Sequence, residues 1–174
     1  MKRNTGSIRE KLEIKILILF ILRRLPEPVS FEALTGLIMC DDGISYFDFC
    51  ECVAELIKTG HILYQYDKYS ITEKGVRNGR ITEDSLPYAV REHAENVTFT
   101  YRSTQARNAM IKTSHAVNSD GSFRVVSSLS DGIGEILLLE LLAANEQQAR
   151  ALENGFRKNA EGVYNALIGM ILES

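Results

Sequence analysis

This chain has no segment suited to crossing a bilayer. The one candidate, ILILFIL from Ile16 to Leu22, is seven residues held between Lys15 and Arg23-Arg24, against the ~20 that a spanning helix requires. A secretory leader is not expected either. Glu10 and Glu13 stand where a basic region is needed, and no small-residue cleavage site comes before Pro26. The expected location is the cytoplasm.

Cysteine is scarce as well: Cys40, Cys50 and Cys52 cannot all pair within one chain, so reduced thiols are expected. Cys50-Glu51-Cys52 with His61 nearby hints at a metal, but on a helix the side chains at i and i+2 diverge and cannot clamp one ion. No metal and no cofactor are expected. An excess of positive charge is missing too. Residues 1–112 hold 16 Lys and Arg against 15 Asp and Glu, and residues 113–174 hold 4 against 8. Neither part is the basic body of a nonspecific nucleic-acid binder, so any such contact must come from a local patch.

Catalytic patterns are equally thin. Asp131-Gly-Ile-Gly134 has two glycines but lies between two strand-like runs, where turn formation is the ordinary explanation. His61, His93 and His115 fall on separate elements with no neighbouring triad or ligand pattern. An enzyme is not expected.

What the chain does have is periodicity. An apolar share of 45% and a charged share of 25% are those of a folded globular protein, and 174 residues suffice for two small modules. Helical spacing from Ile8 to Leu25 stops at Pro26 and Pro28. Ser30 is a natural N-cap for FEALTGLIMC, and Asp41-Asp42-Gly43 marks a turn. A third helix opens at Ser45, with Asp48 as the acid of a capping box and Ile44 with Phe49 as a hydrophobic staple, and ends at Gly60. HILYQYD then alternates, Asp67-Lys68 can turn, and Tyr69-Ser70-Ile71 returns into a helix capped by Thr72.

Three helices, a short hairpin and a helix in about 75 residues is the order of a winged helix-turn-helix. SYFDFCECVAELIKTGHI and YSITEKG resemble the third helix and wing of bacterial winged-helix regulators. Together with the ending EILLLELLAANEQQARALENGFRKNAEGVYNAL, the whole chain resembles an uncharacterised bacterial winged-helix family, a regulator-like domain of unknown function. The resemblance implies a DNA-binding domain followed by a small α/β domain, with no established operator or ligand.

From Pro87, the residues Val90, Ala94, Val97, Tyr101, Thr104, Asn108 and Ile111 repeat at 4,3,4,3 spacing. Two readings stay open for this seam: packing on its own domain, or a dimer contact through Val90, Ala94, Val97 and Tyr101. NVTFTY, residues 96–101, alternates like a strand and could break the helix. The last third reads as three strands joined by turns at Asn118–Gly121 and Asp131-Gly132, then a helix capped by Asn145 with Gln148. The expected architecture is α+β: a winged helix-turn-helix over 1–80, a connecting helix over 81–111, and over 112–174 a three-stranded antiparallel sheet covered by a long helix.

A winged helix would present the start of its third helix to the major groove. The expected DNA-facing residues are Ser45, Tyr46, Phe47, Asp48, Glu51 and Lys58, with Lys68 from the wing turn. Phosphate contacts are expected from Arg9, Lys11, Arg23 and Arg24. Asp48, Glu51 and Glu55 against Lys58 leave this face at −2, which repels phosphate. From the fold order and the resemblance, the expected partners are nonetheless double-stranded DNA and a second copy of the chain, with a protein partner or small-molecule effector unidentified. The alternative is an interaction module that uses Tyr46 and Phe47 as anchors and does not bind duplex DNA.

Overall fold

The computed structural model describes residues 10–39 and 43–173. It is an α+β chain that divides into two compact units, Met1–Arg102 and Ser103–Ser174, with the boundary inside one long helix.

In the first unit α1 (Lys11–Leu22) is buried from Ile16 through Leu22, as expected of a helix that is apolar nearly all round. Around it lie α2 (Phe31–Ile38), α3 (Tyr46–Lys58) and α4 (Glu73–Thr82). Leu34, Ile38, Phe49, Val53 and Leu56 join the same core. Ser30 caps α2 by accepting from the Ala33 N–H at 3.2 Å. Ser45 is the N-cap residue of α3, but its side chain makes no capping bond. The end of α3 is closed by backbone: Gly60, at φ 73°, donates to Ile57 at 2.9 Å and His61 to Leu56 at 2.8 Å. This is the pair of bonds that a left-handed glycine makes possible.

Strands β2 (Ile62–Gln65) and β3 (Lys68–Ile71) form the hairpin, and β1 (Val29–Ser30) pairs with β3 to give the order β1-β3-β2. The turn is one residue earlier than expected. Tyr66 and Asp67 both hold positive φ, 52° and 57°, the conformation that matches the twist of a two-residue hairpin. Lys68 is already in β3.

The long helix α5 (Tyr88–Met110) is continuous. The strand-like alternation of residues 96–101 is overridden, because Val97 and Tyr101 find apolar partners in the first unit's core at helical spacing. Val90 and Ala94 are buried in that same core. All four positions named for the seam thus lie against the first unit's own core.

In the second unit β4 (Ile111–Val117), β5 (Phe123–Ser130) and β6 (Glu135–Ala143) form an antiparallel meander. One face, with Ile111, Val125, Leu129 and Ala143, packs under α6 (Glu146–Leu172). Asn145 caps α6 by accepting from Gln148 N–H at 2.8 Å, and the Gln148 side chain accepts from Ala144 N–H at 2.8 Å. The helix kinks at Asn159, where φ is −139° and ψ 35°.

Candidate functional site

The surface that the sequence singles out is built by α3 and the β2–β3 hairpin. A chain of aromatic rings ties the two together: Tyr64 to Tyr69 at 4.8 Å, Tyr69 to Phe31 at 5.8 Å, Phe31 to Phe49 at 5.6 Å, and Phe49 to Tyr46 at 6.4 Å. These separations are those of mutually stabilising rings. The hairpin and the start of α3 are thereby held in one frame, with Tyr46 at the end of the chain.

Burial of Phe49, Cys52, Val53 and Leu56 points the opposite stripe of α3, Phe47, Glu51, Ala54 and Lys58, to solvent. Phe47 is 85% exposed and Tyr46 51%. The Tyr46 hydroxyl bonds to Cys50, which raises its pKa. Lys68 is exposed beside the turn, and Tyr66, at the hairpin tip, is 96% exposed. Tyr66 was not foreseen in the sequence; its alternation with Ile62 and Tyr64 was visible there, but placing the turn at Asp67-Lys68 hid it.

The acidity of α3 is answered from α1. Lys11 pairs with Glu51 at 2.6 Å and approaches Asp48 at 3.8 Å, while Lys15 pairs with Glu55. The hydrogen bond to Glu51 raises the Lys11 pKa, and the bond from Lys15 lowers that of Glu55. Three carboxylates, Asp48, Glu51 and Glu55, therefore meet three ammonium groups, Lys11, Lys15 and Lys58, and the local charge is zero instead of −2. The compensating lysines lie some forty positions away in sequence, which is why the pattern of α3 alone misses them.

Three of the residues expected at phosphates have acidic partners within the chain. Arg23 pairs with Glu83, and Arg24 with Glu83 at 3.6 Å and Glu95 at 3.0 Å. The Arg24 guanidinium also stacks 3.4 Å above the Phe20 ring and donates to the Phe20 carbonyl at 3.1 Å. Both arginines are thus paired within the first unit, as Lys11 is with Glu51. Arg9 lies outside the described residues.

Behind the hairpin, His61 locks α3 to α4. Its Nδ1 lies 2.8 Å from Thr59 Oγ1 and its Nε2 2.7 Å from Asn78 Nδ2. Thr59 donates its hydroxyl proton to the Glu55 carbonyl at 2.8 Å, so Nδ1 carries the hydrogen and Nε2 accepts from the amide. Burial, with Lys74 adding to it, lowers the His61 pKa. Gly75 completes the dock: a Cβ there would sit 2.2 Å from the His61 carbonyl oxygen.

Burial also raises the pKa of the Cys52 thiol, which donates to the Lys11 carbonyl at 3.4 Å. Among the described residues no three His, Cys, Asp or Glu side chains converge as ligands for a metal ion, and no helix is long and apolar enough to cross a membrane. A cleft of about 670 Å³ opens between α2 and α5, walled by Ala33, Leu37, Val97 and Tyr101, with Glu32 the one charged group among the described residues that line it.

No curated protein and no solved structure matches the chain. A family model does, over residues 14–171, which takes in both units and nearly every element described above. The chain belongs to the family described as a domain of unknown function, DUF4364.

Proposed function

We propose that this protein is a cytoplasmic winged-helix transcriptional regulator without enzymatic activity, which binds double-stranded DNA as a homodimer with α3 in the major groove. The observation that carries this reading is the neutralisation of α3. With Asp48, Glu51 and Glu55 paired by Lys11 and Lys15, the helix offers duplex DNA a stripe of Phe47, Ala54 and Lys58 free of net repulsion. The hairpin beside it carries Lys68 and the exposed Tyr66. Side chains of this kind reach base edges and phosphates in the two roles that position and specify a complex. An effector would enter the cleft between α2 and α5, whose volume is in the range of small-molecule sites.

The test is a fluorescence-anisotropy titration against labelled duplex from upstream of the chain's own gene, between 50 and 200 mM salt. The expected result is sequence-specific binding that weakens with salt by several phosphate contacts. Absence of binding at the lowest salt overturns the reading.

A second reading, a protein-interaction module on the same scaffold, is favoured by two exposed aromatics: Phe47 at 85% and Tyr66 at 96%. Aromatics at such exposure are typical anchors for a protein partner. Under it, Phe47→Ala abolishes partner capture while DNA binding is absent from the start.

A further inference from the structure

Strand β6 has the composition of an interior strand but the position of an edge. It pairs with β5 alone, and seven of its nine residues are apolar. β5 carries its buried row on the helix side alone, whereas β6 is apolar in both rows, so a strand paired along its free edge would give both rows apolar cross-strand neighbours. In β6 the helix-side row is Leu137, Leu139 and Leu141, and the outer row is Ile136, Leu138 and Leu142. Leu138 is 62% exposed, Leu142 70% and Leu141 44%.

Edges of this kind are ordinarily defended by lysine, proline or a bulge. From Ile136 to Ala143 there is no lysine or proline, and the one irregularity lies at the far end, opposite Leu129/Ser130. The other edge, β4, reads IKTSHAV and carries Lys112, Ser114 and His115. The two edges are unlike, and only one is left open to pairing.

We propose that β6 is the seam of the homodimer: β6 of a second copy pairs with it antiparallel, across a twofold axis normal to the sheet, to make one six-stranded sheet. This rests on the homodimer reading above and assigns it a surface. Length, symmetry and charge together limit the register: an axis at Leu139, the midpoint of Glu135–Ala143, pairs the strand over its whole length, and charge excludes the neighbouring choice. An axis normal to the sheet requires each side chain to face one of its own row, so the residue on the axis faces its own copy. Glu140 is the one ionic residue between Ile136 and Ala143, and Arg124 of β5 holds it at 3.2 Å. An axis through Glu140 would set two carboxylates opposite each other, which is unfavourable.

An axis through Leu139 sets Leu139 against itself and Leu137 against Leu141 on the helix side. On the outer side it sets Ile136 against Leu142 and Leu138 against Glu140. No like charges meet, and each Glu140 keeps its own Arg124. Pairing β6 with β4 of another copy would join an apolar edge to a polar one and leave a free β6 at the end of an open fibre, whereas the twofold arrangement closes.

The test combines sedimentation with cross-linking on the full chain. Leu139→Cys places two thiols across the axis, where facing Cα atoms in antiparallel strands are about 4.5–5.5 Å apart and within disulfide reach. Oxidation is expected to give a covalent dimer well above the background from Cys40, Cys50 and Cys52 in the wild type, while Lys112→Cys on β4 gives none. At the exposed Leu138 position, Leu138→Glu faces Glu140 of the second copy and Leu138→Lys pairs with it. The lysine variant is expected to stay dimeric at concentrations where the glutamate variant is at least tenfold more dissociated. A wild-type dimer with no Leu139→Cys cross-link and equal behaviour of the two Leu138 variants overturns the β6 seam and leaves the homodimer reading intact. A wild-type monomer throughout the micromolar range overturns both.

Discussion

Arg107 caps the kink of α6 through Glu161. Its Nε and Nη2 each lie 2.7 Å from one carboxylate oxygen of Glu161, while Nη1 donates to the Arg157 carbonyl at 3.0 Å. The non-helical Asn159 interrupts the regular ladder, and a guanidinium can hold a carboxylate in a bidentate fork with an N–H left over for a carbonyl. The Arg107 bonds lower the Glu161 pKa. Arg107→Met is expected to cost about 1 kcal/mol, since the pair is partly exposed and solvent screens it. A double-mutant cycle with Glu161→Gln in urea unfolding should return a coupling of about 0.5 kcal/mol; additive losses would show that the pair does not act as a unit.

The same turn sets a glycine against the kinked residue. A Cβ on Gly162 would lie 2.2 Å from Asn159 Oδ1, so the Asn159 side chain occupies the space that any other residue at 162 would fill. Gly162→Ala is expected to cost no more than about 1 kcal/mol, because the Asn159 amide is the end of a flexible side chain that can swing aside and alanine has the higher helix propensity. The double variant Asn159→Ala/Gly162→Ala should recover most of that loss in thermal unfolding. Failure to recover would place the clash elsewhere.

Thr113 is a case where removing a polar group should help. Its Oγ1 is buried without a hydrogen-bond partner, on the helix-facing side of β4 opposite Ser127. Thr113→Val keeps the shape and discards an unpaired hydroxyl, so stability should rise by about 1 kcal/mol, read as a higher midpoint in urea. An unchanged or lower midpoint would mean that the hydroxyl is satisfied in solution.

The pH dependence of the first unit should carry the mark of His61. Its folded pKa lies below the ordinary value because the ring is partly buried and Lys74 is near. The neutral ring is therefore the form that the fold prefers. Its contribution is complete above the unfolded pKa, about 6.5, and is lost as the pH falls through the depressed folded value, where the unfolded chain takes up its proton first. Urea midpoints measured at pH 7.5 and 5.0 should differ more in the wild type than in His61→Gln. An equal difference in both would assign the pH effect to other groups.

What the sequence made legible was local. Ser30, Thr72 and Asn145 were each recognisable as caps because the cap and its target are three residues apart, and all three accept the expected backbone N–H. The strand β1 was not, because two residues carry no period and their partner Tyr69 is distant in sequence. The kink at Asn159 lies inside FRKNAE, a stretch that reads as uninterrupted helix until Arg107, more than fifty positions earlier, is brought beside it. The candidate DNA face followed the same division. Phe47 and Lys58 could be placed from the helical stripe, whereas the neutralisation of Asp48, Glu51 and Glu55 depends on α1 packing against α3.

That packing separates two lysines that the sequence treats alike. Lys58 stands exposed on the solvent stripe of α3, while Lys11 is bound to Glu51 at 2.6 Å. If α3 enters the groove, Lys58→Ala removes one phosphate contact, and the salt slope of log K should fall by about 0.9. Lys11→Ala removes no such contact and instead unmasks Glu51 and Asp48 beside the phosphates. Affinity should therefore drop at every salt concentration, most at low salt where repulsion is least screened, and Glu51→Gln in the Lys11→Ala background should restore most of it. Anisotropy titrations of the three variants decide the matter. A loss from Lys11→Ala that Glu51→Gln does not restore would return Lys11 to the phosphate contacts and remove the masking of α3 from the account of DNA binding.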